Sequence, residues 1–173
     1  RVADAAMRAW EKLQWKSDAP LASAERDIDL GVRKATAAEL ERAAKILATT
    51  PRDKDGQFSD RKAIYALEAQ KLDKFPARVP VKLQAHRIGR LTIAAIPCEV
   101  FVEIGLDLKA GRPLDDHFTI SLANGYNGYL PTPEHHRFGG YETWRARSSY
   151  LEVEASTKIA KTLKEMLATL AAK

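Results

Sequence analysis

The sequence predicts an α/β fold in which a mixed β-sheet is flanked by helices, and two observations carry that prediction. Val79, Val81, Leu83 and Ala85 alternate with less apolar residues. Gly89-Arg90 then sits where a two-residue hairpin turn fits, and Leu91 to Ile96 follow as a mostly apolar strand. On both sides of this hairpin the apolar residues change from period two to helical spacing. An apolar strand, a short turn and a helix in succession form the common unit of layered α/β folds.

Taken in order, Ala6, Trp10 and Leu13 fall on one face of an opening helix that ends before Asp18-Ala19-Pro20. Ile28, Leu30 and Val32 alternate with polar partners and predict a short strand. Thr36-Ala37-Ala38-Glu39 is a capping-box pattern, in which hydroxyl and carboxylate satisfy free amides at a helix start. Leu40, Ala44 and Leu47 are the expected apolar stripe of that helix. The stretch from Thr49 to Gln57 has no apolar residue and reads as an exposed connection, after which Ser59 to Phe75 form an amphipathic helix stopped by Pro76.

The run from Leu91 to Ile96 has the character of a strand buried on both faces, hence central in a sheet, and Pro97 ends it. Residues 99–108 fit two periods. Val100, Val102, Ile104, Leu106 and Leu108 alternate like a strand, yet Glu99, Glu103 and Asp107 share one helical face. The strand-turn-helix unit favours a helix from Glu99 to Leu108. Phe118, Ile120 and Leu122 form the next strand, and a closing helix presents Ile159, Leu163, Met166, Leu167 and Leu170 on one face and Lys158, Lys161 and Lys164 on the other. If the strands ending at Ile96 and Leu122 are parallel neighbours, both following turns leave the sheet edge where open α/β folds bind ligands.

Composition bounds the function classes. The chain has 173 residues, 45% apolar and 29% charged, which suits one domain with its own core. The net charge of +5 is spread along the chain rather than concentrated, which argues against a nucleic-acid footprint. One cysteine, Cys98, excludes an internal disulfide and a cysteine-based zinc cluster. No apolar run approaches the length of a membrane span. The sequence begins at Arg1, inside a helical pattern and without methionine, so the expectation is that the N-terminal part of a longer parent is missing.

Asn124 to Trp144 is the stretch most suggestive of chemistry. It gathers three tyrosines, two histidines and several glycines without a helical or strand period. A long ordered loop in a compact domain is usually functional. Glu99, just past a buried strand, is placed to be a metal ligand or fixed base, or else begins a solvated stripe with Glu103 and Asp107. Tyr126, Tyr129 and Tyr141 can each donate a hydrogen bond to an oxyanion or bind a cation as phenolate, or simply pin the loop to the core. His135 and His136 are adjacent, diverge in most backbones and make a poor ligand pair. His86 and His117 read as structural. Ser148-Ser149 lacks a nucleophile elbow, and the glycines match neither a phosphate-binding nor a dinucleotide fingerprint.

Residues Ile88 to Trp144 resemble the C-terminal part of the neutral/alkaline, non-lysosomal ceramidase catalytic domain. The resemblance is carried by Arg87-Ile88-Gly89 with the strand to Ile96, and by Ile96-Pro97-Cys98-Glu99-Val100-Phe101. Leu122-Ala123-Asn124-Gly125-Tyr126-Asn127-Gly128-Tyr129, Thr132-Pro133-Glu134 and Gly140-Tyr141-Glu142 complete it. The chain is most similar to bacterial ceramidase-like proteins, and the likeness extends across its length. It implies a fragment of a larger layered hydrolase domain that splits an N-acyl amide bond, of a ceramide-like lipid or a related amide, with a zinc ion held by two histidines, a glutamate and a tyrosine. By motif position Glu99 matches the glutamate ligand, Tyr129 the tyrosine ligand and Tyr141 a tyrosine that hydrogen-bonds substrate or transition state. Tyr126 lies near the site with no assigned role. The family has glycine at Cys98, and its two zinc histidines lie in an N-terminal segment absent from these residues. The resemblance therefore implies half a zinc shell, inactivity of the piece alone, the rest of the catalytic domain as partner, and a secreted or periplasmic parent. The alternative is a non-catalytic binding module that keeps the hydrolase fold.

Overall fold

The computed structural model describes residues 1–15 and 18–172. The elements run α1 (Val2–Glu11), β1 (Leu21–Gly31), α2 (Ala37–Thr49), α3 (Arg61–Asp73), β2 (Arg78–Ile88), β3 (Leu91–Ile96) and β4 (Glu99–Val100). After these come α4 (Val102–Ala110), β5 (Asp116–Ser121), β6 (Tyr129–Leu130), α5 (Pro133–Phe138), a 3₁₀ turn (Tyr141–Thr143) and α6 (Ala155–Ala171). The main sheet has the order β1-β2-β3-β5 and is mixed, as expected. The first two pairings are antiparallel and β3 pairs with β5 in parallel.

The hairpin between β2 and β3 turns at Gly89, whose φ of 59° lies in the left-handed region that glycine enters at no steric cost. In β2 the alternating Val81, Leu83 and Ala85 are wholly buried, and β3 is buried on both faces at the sheet centre. Helix α6 lies across one face. Its Ile159, Leu163, Met166, Leu167 and Leu170 pack with Leu30, Val81, Leu83, Ala94 and Ile96 into the core. Lys158 and Lys164 on its other side pair with Glu152 and Asp107.

Four expectations are corrected. The first strand is not a short segment around Ile28. It is in register with β2 from Leu21↔Ile88 to Gly31↔Arg78, while Val32 makes only an isolated bridge to Leu151. Its first half was hidden because it presents polar residues outward, where Ser23 bonds His86 and Glu25 pairs with Lys82. In α2 the Thr36 capping box forms, but the residue it buries is Ala43; Ala44 is exposed. Residues Glu99 and Val100 are a strand, and α4 begins only at Val102. In β5 the core-facing residues are His117 and Thr119, against α4, whereas Phe118 and Ile120 are 47% and 42% exposed on the opposite face. Alternation fixed which residues share a face but not which face the helices cover.

Helix α1 buries none of its residues. No helix among the described residues is long and apolar enough to cross a membrane. Because Leu163 is wholly buried between α6 and the sheet, Leu163→Ala is expected to lower the unfolding free energy by about 2–5 kcal/mol. Urea unfolding with an unchanged m-value checks this.

Candidate functional site

The parallel pairing of β3 and β5 brings Ile96 and Ser121 level at one sheet edge. Beyond that edge the backbone of residues 96–101 is held by residues 121–130, group by group. The Ala123 amide donates to the Ile96 carbonyl at 3.0 Å, the Asn127 amide to Pro97 at 2.7 Å and the Leu122 amide to Cys98 at 2.9 Å. The Ser121 hydroxyl donates to the Cys98 carbonyl at 2.8 Å and accepts from the Val100 amide at 3.0 Å. The Glu99 amide donates to the Gly128 carbonyl at 2.9 Å, closing the parallel β4–β6 pair in which Glu99 stands opposite Tyr129.

Holding this turn requires unusual backbone. Leu122 and Asn124 have φ of 56° and 59°. Such values are uncommon for any residue with a side chain and a true outlier for one as bulky as leucine. Strain of this kind persists only where the surroundings impose it, and it clusters at functional sites. Gly128, at φ 75°, passes so close to Ser148 that an added Cβ would stand 2.4 Å from its carbonyl oxygen.

The side chains converge in step with the backbone. The Tyr126 hydroxyl donates to Glu99 Oε1 at 3.1 Å. The rings of Tyr129 and Tyr141 meet edge to face with centroids 5.7 Å apart. The hydrogen bond to Tyr141, with the nearby Glu99 carboxylate, pushes the Tyr129 phenol up to about 12. Partial burial and the bond to Glu99 raise Tyr126 as well. Tyr126 and Tyr129 are therefore held as neutral donors beside the Glu99 carboxylate. Glu99 and Tyr129 line an open cleft of about 320 Å³ with Phe101, Ser121, Leu122 and Glu142. A second cleft of about 410 Å³ adjoins it through Val100, Phe101 and Ser121 and continues over Val102, Leu106 and Phe118.

The histidines lie elsewhere. His135 bonds the Thr132 hydroxyl at 2.7 Å, stands 3.6 Å from Glu103 and packs its ring on Phe101. Burial and the nearby Arg33 lower His136. His86 bonds Ser23, and His117 is buried in β5 on Thr92. Cys98 is buried, which pushes its thiol up to about 12. The stretch 124–144 also contains more regular structure than its sequence suggested. Thr132 caps α5, accepting from the His135 amide, with Pro133 in the first turn. That start signal was present in the sequence but outweighed by the glycines around it. Sequence reasoning missed Ser121, Asn127 and Glu142 at the site, because nothing in a one-dimensional spacing places them beside Glu99.

No family model matches the chain, and no curated protein matches it in sequence. Solved structures do match. A structure described as a ceramidase complexed with C2 aligns over 88% of this chain with a TM-score of 0.54 at 14% identity. The neutral ceramidase of Pseudomonas aeruginosa aligns over the same share with a TM-score of 0.53 at 17% identity. The fold is that of part of a neutral ceramidase. The chain spans about 30% of the length of these structures.

The donor set can be compared with the zinc that the resemblance implies. Among the described residues no group of three or more His, Cys, Asp and Glu could hold a metal ion. A carboxylate and a phenol facing each other across a strand pair fit two of the four implied ligands and leave the two histidines unsupplied. Gly128→Ala is expected to destabilise the protein by more than about 1 kcal/mol, since its positive φ and the close Ser148 carbonyl both resist a Cβ. Thermal unfolding checks it, and a variant as stable as the parent would contradict the close approach.

Proposed function

We propose that this chain carries part of the active site of a zinc-dependent amide hydrolase of the ceramidase type, with Glu99 and Tyr129 as two of the metal ligands and Tyr141 as the donor to the developing oxyanion. The observation that supports it most is the β4–β6 pairing, which sets Glu99 opposite Tyr129 with Tyr141 against the Tyr129 ring. When bound, zinc would supply an activated water and polarise the acyl carbonyl. The chain's own residues do the rest. Glu99 offers an anionic oxygen anchored by its amide to Gly128, and Tyr126 orients that carboxylate. Tyr141, 56% exposed, would turn its hydroxyl from Tyr129 to a substrate oxygen as charge gathers there.

The adjoining apolar cleft supports an acyl chain as part of the substrate. Val102 and Leu106 are 67% and 59% exposed along it, with Phe118 beside them. An apolar groove continuous with a polar reacting centre suits an N-acyl amide of a ceramide-like lipid or a related amide. The two histidines and the remaining catalytic framework are supplied by further polypeptide of the same catalytic domain. Ile88, Ile120 and Leu122, exposed on the sheet face away from α6, provide apolar surface for it to cover. These residues alone are inactive.

In a polypeptide that includes the histidines, Glu99→Gln and Tyr129→Phe are expected to weaken zinc binding at least about tenfold, the lower end of what losing even an outer partner of a ligand costs, and to lower hydrolysis with it. Tyr141→Phe is expected to keep the zinc and lower kcat by about 10²–10³, as loss of one oxyanion donor does. Full zinc content and unchanged hydrolysis in the Glu99 and Tyr129 variants would refute the ligand assignment. Metal titration adds a pH test. The Tyr129 phenol keeps its proton until about 12, so at lower pH that proton must leave as the metal binds and affinity rises with pH. In Tyr129→Phe the slope of log affinity against pH is expected to fall by about one.

A further inference from the structure

We propose that Asn127, held by Tyr150, is the positioning residue that sets the register between Glu99 and Tyr129. The proposal rests on those two residues sharing a site. Asn127 makes contacts in two directions. Its Nδ2 donates to the Pro97 carbonyl at 3.2 Å, the same oxygen that its backbone amide reaches at 2.7 Å. Its Oδ1 accepts from the Tyr150 hydroxyl at 2.6 Å. Tyr150 is only 8% exposed, packs edge to face on Phe75 and belongs to the core beneath α6. A chain of contacts thus runs from the core through Tyr150 and Asn127 to the carbonyl two residues before Glu99.

The neighbours of Asn127 show why a side chain is needed there. The next residue, Gly128, can have no side chain because Ser148 crosses it, and the preceding stretch turns through the positive φ of Leu122 and Asn124. The strand pair that follows is only two residues long on each side. So short a ladder does not hold its register by itself. Asn127 is the one residue type suited to the place, since its amide donates on one side and accepts on the other with a short, stiff side chain. Asn127 touches neither Glu99 nor Tyr129 through its side chain. It acts through the backbone that carries them.

Amide hydrogen exchange on this chain tests the proposal. In Asn127→Ala the Glu99 amide, which donates to Gly128, is expected to exchange on the order of tenfold faster, the scale of one lost hydrogen bond. The β2–β3 amides, which report global opening, are expected to stay within about twofold. Tyr150→Phe is expected to accelerate the same amide. Asn127→Asp, which keeps an acceptor for Tyr150 but loses the donor to Pro97, is expected to behave like the alanine variant. An unchanged Glu99 amide, or one that accelerates by the same factor as the β2–β3 amides, overturns the proposal. In a polypeptide that includes the implied histidines, Asn127→Ala is expected to lower kcat with KM little changed. If instead the Glu99 amide is released while zinc content and hydrolysis stay intact, the positioning role stands and the ligand assignment of Glu99 and Tyr129 fails.

Discussion

The parallel pairing of β3 with β5 is the constraint on which the rest of the site depends. It sends two chain segments out of the same sheet edge, at Ile96 and Ser121, with their backbone groups facing one another and no longer committed to the sheet. Buried backbone donors and acceptors have to be satisfied. Here they satisfy each other at the carbonyls of Ile96, Pro97 and Cys98 and at the amides of Glu99 and Phe101. The β4–β6 pair is the last part of that exchange, and Glu99 faces Tyr129 as its consequence. The site residues are thus placed by the pairing of backbone groups, which the Ser121 hydroxyl completes between Cys98 and Val100.

The same constraint explains what could and could not be read from the sequence. Strong period-two and period-3.6 signals gave the hairpin, the central strand, the closing helix and the Thr36 cap, because each is a local matter of burial or capping. Glu99 was misread as helical because the signal for β4 is not local. Two residues become a strand only because Tyr129 and Leu130 come back to pair with them. The outward face of β5 was not legible for a related reason. Period two groups Phe118 with Ile120, but only the position of α4 and α6 decides that His117 and Thr119 face inward. As for the site, Glu99, Tyr129 and Tyr141 were found by resemblance to a family, and their convergence is a geometric fact that spacing alone could not supply. Asn127 and Glu142 lay within the resembling motifs without an assigned role, and Ser121 had neither signal.

The protonation state of the cluster bears on its chemistry. Tyr126 and Tyr129, both raised and Tyr129 to about 12, stand as neutral donors beside the Glu99 carboxylate. Without a cation this arrangement resists becoming a metal site, because making a phenolate beside an existing carboxylate sets two like charges together. A divalent ion inverts that preference, favouring the loss of the phenol proton that the carboxylate otherwise retains.

The two faces of the sheet lead to a final step. On one face α6 and α4 complete a core containing Leu83, Ile96 and Leu163. On the other, Leu21, Ile88, Phe118 and Ile120 are between 42% and 76% exposed beside the polar cross-strand pairs of β1 and β2. A solvent face would alternate polar residues along β5 as it does along β1, and β5 does not. The exposed apolar residues of β5 continue through Leu122 to the edge where Glu99 and Tyr129 stand. A polypeptide covering this face would therefore end beside Glu99 and Tyr129. On the proposed reading, a ligand set divided between two stretches of chain is held together by burial, which the exposed apolar residues of β5 offer at that edge.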